Sequence, residues 1–251
     1  MIEKKLFNES ISFHETSALE TYQHDISQMF RWMQNIELRT EPVFLDVGAN
    51  VGLFSLAFAY MFQQSTIHSF EPINFIYQHL IENLKLNKLV SDRIHAHNVG
   101  MSNRVESRLL SIPTADQHER YSKPTDIRHY SAYGKGEEKF QVQFTTIDQW
   151  FGENNLSAID FIKVDVEGHE YPVLQGAECT IEKFRPIIMF ELNYLTLSLS
   201  KIKAAQYLSF ASRLDYSIFG FQYGYKTELL PITSENQLEL ISDIILIPPR
   251  H

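Results

Sequence analysis

Val43-Phe44-Leu45-Asp46-Val47-Gly48-Ala49-Asn50-Val51-Gly52 decides how the rest of the chain is read. Val43 to Val47 is a short apolar run interrupted only by Asp46, the pattern of a strand buried on both faces of a parallel sheet. Gly48 to Gly52 supplies a turn, and Leu53 to Phe62 reads as a nearly all-apolar helix. Thr66 to Phe70 is a second strand ending in Glu71-Pro72, with Pro72 well placed at a helix start. Ile73, Ile76, Tyr77, Leu80, Ile81 and Leu84 then follow in steps of three and one, which is an amphipathic helix closing near Lys85 to Lys88.

The same alternation extends outward. Leu19, Tyr22, Ile26, Met29, Phe30 and Met33 recur at helical spacing before Thr40-Glu41-Pro42 breaks the pattern, so residues 1–41 are expected to form an N-terminal helical cap on a domain spanning 42–251. Downstream, strands are expected over Ile94 to Met101, Val105 to Ile112, Phe140 to Thr146, Ile159 to Val166 and Pro186 to Leu192. Helices are expected at Ile147 to Phe151, Glu170 to Gly176 and Lys201 to Leu214. The late strands Tyr216 to Phe221 and Asp243 to Ile247 have no comparable helix between them, which predicts an antiparallel hairpin at one edge. Strands alternating with helices make an α/β architecture with a mainly parallel, doubly wound sheet. The polar stretch 113–139, with His118, Arg120, Arg128, His129, Tyr130 and Tyr133, is an insertion long enough to serve as a lid over an acceptor.

Composition narrows the classes. The 251 residues are 44% apolar, with one cysteine and a formal charge of -9. That excludes a wholly disordered, collagen-like or disulfide-stapled chain, and it disfavours a broad basic face for nucleic acid. The most apolar stretch, Val51 to Phe62, is too short to span a bilayer. Met1 to Ser12 lacks the apolar segment of a secretory leader, and Cys179 alone suits a reducing compartment. A cytoplasmic protein without membrane insertion is the expectation.

Parallel α/β sheets bind ligands at the carboxyl ends of their strands. There, Gly48 and Gly52 would let backbone approach a ligand without a Cβ clash. Glu71, at the end of the second strand, could accept both hydroxyls of a ribose. The spacing is not G-x-G-x-x-G, and no phosphate-cradling loop is present. Asp46 just before the turn would repel a pyrophosphate and favour a cation. These features point to S-adenosylmethionine over NAD. An NAD-dependent oxidoreductase and a non-catalytic adenosine-ligand binding module are the alternatives.

Phe44 to Gly52 and Ser69-Phe70-Glu71-Pro72 resemble the opening motifs of FkbM-type S-adenosylmethionine-dependent methyltransferases. The resemblance continues through Asn98-Val99-Gly100-Met101-Ser102-Asn103 and Thr145-Thr146-Ile147-Asp148. It is most specific at Ile162-Lys163-Val164-Asp165-Val166-Glu167-Gly168-His169-Glu170, followed by Val173-Leu174-Gln175-Gly176-Ala177. It covers roughly residues 42 to 193. The resemblance implies a Rossmann-like class I methyltransferase fold with a mainly parallel seven-stranded sheet and a reversed edge strand. It also implies Asp46, Gly48 and Asn50 around the cofactor's amino-acid end, Glu71 on the ribose, and Asn98 and Val99 near the adenine. O-methylation of a sugar, glycan or secondary-metabolite hydroxyl is the activity such a family suggests.

A hydroxyl acceptor must lose its proton, so a base or metal is expected. Asp165, Glu167 and His169 end the fourth strand, and Glu191 and Asn193 end the next. Asp165 is expected to face the methyl or the acceptor, and His169 to take the proton. Lys163, in mid-strand, reads as a structural ion-pair partner, because a buried lysine is costly unless paired. Hard carboxylates at Asp165 and Glu191 would suit Mg²⁺, but the sequence offers no third ligand, so no metal site is assigned. His95-x-His97 places two histidines on one face of a strand, expected to face solvent.

Overall fold

The computed structural model describes residues 2–6, 9–13, 26–111, 137–192, 200–222, 229–238 and 241–249. Its main sheet holds β3 (Val43–Val47), β4 (Thr66–Phe70), β5 (Ile94–His97), β9 (Phe161–Val164), β10 (Ile187–Glu191), β11 (Ser217–Gln222), β12 (Leu229–Pro231) and β13 (Ile241–Ile247). Their spatial order is β12-β11-β13-β10-β9-β3-β4-β5. The run from β5 through β4, β3 and β9 to β10 is parallel throughout. β13, the last strand, is reversed as expected. It is not at the edge, however: it is inserted between β10 and β11 and is antiparallel to both. The short β12, antiparallel to β11, makes the edge.

Chain order explains where a ligand can enter. From β3 the chain passes through α2 (Leu53–Met61) to β4, then through α3 (Asn74–Leu86) to β5. It later returns to the other side of β3 as β9. The carboxyl ends of β3 and β9 therefore flank the switch point, where adjacent loops diverge and leave a crevice.

Period-two alternation sends side chains to two cores. Phe44, Phe58 and Phe161 pack together beneath α2, with ring centroids 4.7 to 5.6 Å apart. Leu45, Val47, Ile162, Val164 and Phe190 face the opposite core. That second face carries α4 (Ile147–Asn154), α5 (Glu170–Gln175), α6 (Glu178–Phe184) and α7 (Ala204–Arg213). Asp148 accepts hydrogen bonds from the backbone N–H groups of Cys179 and Thr180 at 3.1 and 2.7 Å. It thus caps the start of α6 from a distance.

Two expectations change. The segment read as a helical cap opens with a hairpin of β1 (Ile2–Leu6) and β2 (Glu9–Phe13), followed by α1 (Ile26–Met33); Leu19 and Tyr22 lie outside the described residues. Ile11 and Phe13 are fully buried in the α2 core. Asn87, beyond α3, accepts from the Ser12 N–H at 3.1 Å and donates to the Ser12 carbonyl at 2.7 Å, which fixes the hairpin. The expected third strand, 94–101, also divides. Its first half is β5, whereas β6 (Gly100–Met101) joins β7 (Glu106–Ser111) and β8 (Lys139–Thr145) in a separate sheet of order β6-β8-β7. Most of the 113–139 insertion lies outside the described residues.

Candidate cofactor and acceptor site

A cavity open to solvent lies at the carboxyl ends of β3, β4 and β9. Phe70, Ile73, Ile76, Met101, Leu110 and Phe144 form its apolar wall, and Asn50, Glu71, Asp165, Glu167 and His169 its polar one. Met101, Leu110 and Phe144 come from the small sheet, which the sequence reading did not connect to the site. Strands were expected at all three places, but nothing local says which cavity a second sheet covers.

Glu71 is the best-defined polar group. It is buried, with Oε2 accepting from the Asn50 N–H at 3.1 Å and Oε1 from the Ile73 N–H at 2.9 Å. Burial pushes its carboxyl up to about 7; the two backbone hydrogen bonds and Lys163 pull the other way, and Asp46 adds to the rise. Asn50 holds a left-handed φ of 50°, and its side-chain oxygen, screened from water, has no hydrogen-bond partner among the described residues.

Asp46, read as a cavity residue, is a correction. It is fully buried and is not part of the cavity wall. Alternation places it on the α2 face together with Phe44, so its carboxylate meets Ser55 Oγ at 2.5 Å and Lys163 Nζ at 3.4 Å. The glycines also serve packing rather than leaving room for a ligand. Gly48 (φ +79°) lies so close to the Asp165 carbonyl that a Cβ would overlap it, and a Cβ on Gly52 (φ +90°) would meet Leu80 at 2.5 Å. Only Gly48 of the two reaches the cavity. Asn98 does not line it either: its amide donates to the Glu71 and Pro72 carbonyls at 2.8 and 3.1 Å, fastening the loop that presents Glu71. Val99 packs into the α4–α7 core, and the wall at this point is Gly100 and Met101.

The loop after β9 brings Asp165, Glu167 and His169 together on the wall. Glu167 (φ 53°) and Gly168 (φ 94°) are both left-handed. This tight reversal is held by Glu170, a residue the sequence reading passed over, whose Oε1 accepts from the Val166 and Gly168 N–H groups at 3.0 and 3.2 Å. Burial raises the Glu170 carboxyl to about 8, with Asp165 adding to the rise. A raised carboxyl stabilises the fold fully below its ordinary value of 4.5, and that contribution is lost as pH rises through 8. Glu170→Gln, which fixes the neutral form, should therefore flatten this part of the profile. Thermal denaturation from pH 5 to 9 should show the variant gaining roughly 5 °C on the wild type toward the alkaline end; parallel curves would refute it.

His169 is buried, with Nε2 2.9 Å from the hydroxyl of Ser102 and its ring edge-on to Phe144. Burial, aided by Arg108, lowers it to about 4, so it is neutral at pH 7. Glu191 ends β10 opposite Asp243 of β13. Burial and the charges of Asp165, Glu167 and Asp243 push its carboxyl well above the usual range. Asn193 lies outside the described residues. Among the described residues, no three His, Cys, Asp or Glu side chains are grouped so as to hold a metal ion. His97 is not the solvent-facing residue expected. It stacks on His68 with Trp150 against both rings, and burial lowers His68 to about 3 and His97 to about 4.

Strand order, switch point and a buried acid after the second parallel strand define a Rossmann-like class I methyltransferase fold. The methyltransferase FkbM from Methylobacillus flagellatus KT superposes with a TM-score of 0.54 at 16% identity, over 84% of this chain and 45% of that one. The precorrin-6y C5,15-methyltransferase from Geobacter metallireducens gives 0.52 at 10% identity, over 95% of both chains. The family model of the methyltransferase FkbM domain matches residues 46–218, and the chain belongs to that family. Among curated relatives it is 30% identical to Methyltransferase 1 of Beauveria bassiana, over 53% of this chain and 57% of that protein. It is 28% identical to Methyltransferase sdnD of Sordaria araneosa, over 56% and 62%. The chain thus spans about six-tenths of the length of these relatives. Among the described residues no helix is long and apolar enough to cross a membrane.

Proposed function

We propose that this chain is an S-adenosylmethionine-dependent O-methyltransferase acting on a hydroxyl of a sugar, glycan or secondary metabolite. The observation that carries the cofactor reading is Glu71. Each carboxylate oxygen accepts one backbone N–H, which leaves further lone pairs at the cavity wall for two vicinal hydroxyls. Asn50, with its unpartnered side-chain oxygen, would hold the amino-acid end beside Gly48, and the apolar wall suits an adenine. A cytoplasmic setting without a nucleic-acid partner fits the acidic charge and the single cysteine.

S-Adenosylmethionine, when bound, supplies a methyl carbon already activated by the sulfonium. The protein's part is to present the acceptor oxygen in line with that carbon and to receive its proton. An acceptor oxygen bonding to that methyl, with the carbon–sulfur bond breaking and its electron pair returning to sulfur, would gain positive charge and become strongly acidic. A neutral imidazole of low basicity, such as His169, then suffices to take the proton late in the transfer. Ser102 holds the ring in position, and the Asp165 and Glu167 carboxylates favour the positive charge. Titration calorimetry with S-adenosylmethionine, S-adenosylhomocysteine and NAD tests the cofactor reading: micromolar binding of the first two is expected, and selective binding of NAD would overturn it. Turnover against glycans and natural-product alcohols, compared with amines, tests the acceptor.

A further inference from the structure

One buried charge has no part in the mechanism above. Lys163 lies in mid-β9 and is almost wholly buried. Register places it beside Asp46 of β3, which in turn pairs with Ser69 of β4, so a polar row crosses three strands on the face beneath α2. The Lys163 ammonium lies 3.4 Å from Asp46 Oδ1 and 3.3 Å from Asp165 Oδ2. It also donates to the Gly48 carbonyl at 3.3 Å. Phe54 of α2 closes the remaining side, its ring centroid 4.4 Å from Nζ. Burial by itself would lower Lys163, but Asp165 and Asp46 outweigh it and hold the ammonium above its ordinary value.

Two of these partners are parts of the site. Gly48 is the first residue of the turn after β3, and Asp165 is the first residue after β9; both line the cavity. They lie on the two sides of the switch point and are joined in this core by one ammonium. A buried lysine with a single carboxylate would already satisfy its charge. The second carboxylate and the carbonyl make it a three-way tie between the loops that form the crevice.

Resting on the cofactor reading above, we propose that Lys163 is a positioning residue for that site: by tying the Gly48 carbonyl and Asp165 from below, it sets the direction in which Asp165 faces the bound cation. A lysine that only stabilised the sheet would affect folding and leave ligand affinity unchanged. One that positions Asp165 affects affinity through Asp165, and its removal has no further effect once that carboxylate is gone.

Lys163→Met alone leaves Asp46 buried and uncompensated and risks unfolding the chain. The test is therefore made in an Asp46→Asn background, where the hydrogen bond from Ser55 can persist and no buried carboxylate is stranded. Calorimetry with S-adenosylmethionine should show D46N/K163M binding about 10-fold or more weakly than D46N. D165N, in which Lys163 keeps Asp46, should lose a comparable factor against the wild type, and D46N/K163M/D165N should bind no more weakly than D46N/K163M, because residues acting as one unit are not additive. Circular dichroism and thermal denaturation run alongside. Affinity of D46N/K163M within twofold of D46N, additive losses in the triple variant, or loss of the cooperative fold in D46N/K163M would each reduce Lys163 to a structural role and overturn the proposal. Absence of binding by the wild-type chain would overturn the cofactor reading itself, and the proposal with it.

Discussion

Replacing Glu71 by alanine should lower affinity for S-adenosylhomocysteine by at least about 100-fold, because hydrogen bonds to a charged acceptor contribute about 1.5–3 kcal/mol each and two are removed. The substitution also orphans the N–H groups of Asn50 and Ile73, at about 1–3 kcal/mol each in stability. Glu71→Gln is the cleaner probe, since it keeps the shape and one acceptor and should cost about 10-fold. The two forms also differ in pH dependence. With the carboxyl raised to about 7 by burial, the free site is largely protonated under mildly acidic conditions, and binding two hydroxyls through acceptor oxygens favours the ionised form. Affinity of the wild type should therefore fall about 25-fold from pH 7.5 to 5.5, the ratio of ionised fractions for a group titrating near 7. Glu71→Gln should remove that dependence. Stability moves the opposite way: the raised carboxyl stabilises the free protein most below 4.5, and this contribution fades as pH rises through 7. Calorimetric dissociation constants across this range decide the matter, and a flat wild-type profile would exclude Glu71 as the hydroxyl acceptor.

His169→Ala should lower kcat by about 100- to 10,000-fold while leaving cofactor affinity within a few-fold, the span expected for loss of a positioned proton acceptor. Ser102→Ala, which leaves the imidazole but removes the hydroxyl beside its Nε2, should cost roughly 10-fold. Since burial holds His169 near 4, protonation of this residue should not limit kcat between pH 5.5 and 7.5. An acid limb due to His169 belongs near pH 4 rather than at the ordinary 6.5. Retention of more than a tenth of wild-type kcat by His169→Ala, with intact cofactor binding, would remove the imidazole from the chemistry and leave Asp165 or Glu167 as the proton acceptor.

How the site assembles shows which parts were legible locally. Glu71 could be placed from sequence because an acid directly after a parallel strand, followed by Pro72, has one place to stand: the crevice end of the sheet. Gly48 and Gly52 were legible as a turn for a similar reason, since only glycine accepts a φ near +80 to +90° without strain. Their purpose was not legible, because the atoms they make room for, the Asp165 carbonyl and the Leu80 side chain, are far away in sequence. Asp46 was misread because a single charge in a strand buried on both faces does not reveal its partner. Strand register, not strand pattern, brought Lys163 beside it.

The sequence by itself determined the strand–turn–helix alternation, the parallel core of the sheet and the acid at the end of β4, each of which depends on periodicity or on chemistry within a few residues. The family resemblance, carried by the order of several motifs, implied the reversed last strand. Only the tertiary structure decided that β13 enters between β10 and β11, that β1 and β2 pair and dock on Asn87, and that a second sheet walls the cavity. It also decided that Asp46 and Asp165 share the Lys163 ammonium, Asp46 wholly buried and Asp165 at the cavity wall. Those outcomes depend on which strands become neighbours and on which face an alternating side chain falls, and burial then sets the charge state of each group. No stretch of sequence contains that information until the strands are in register.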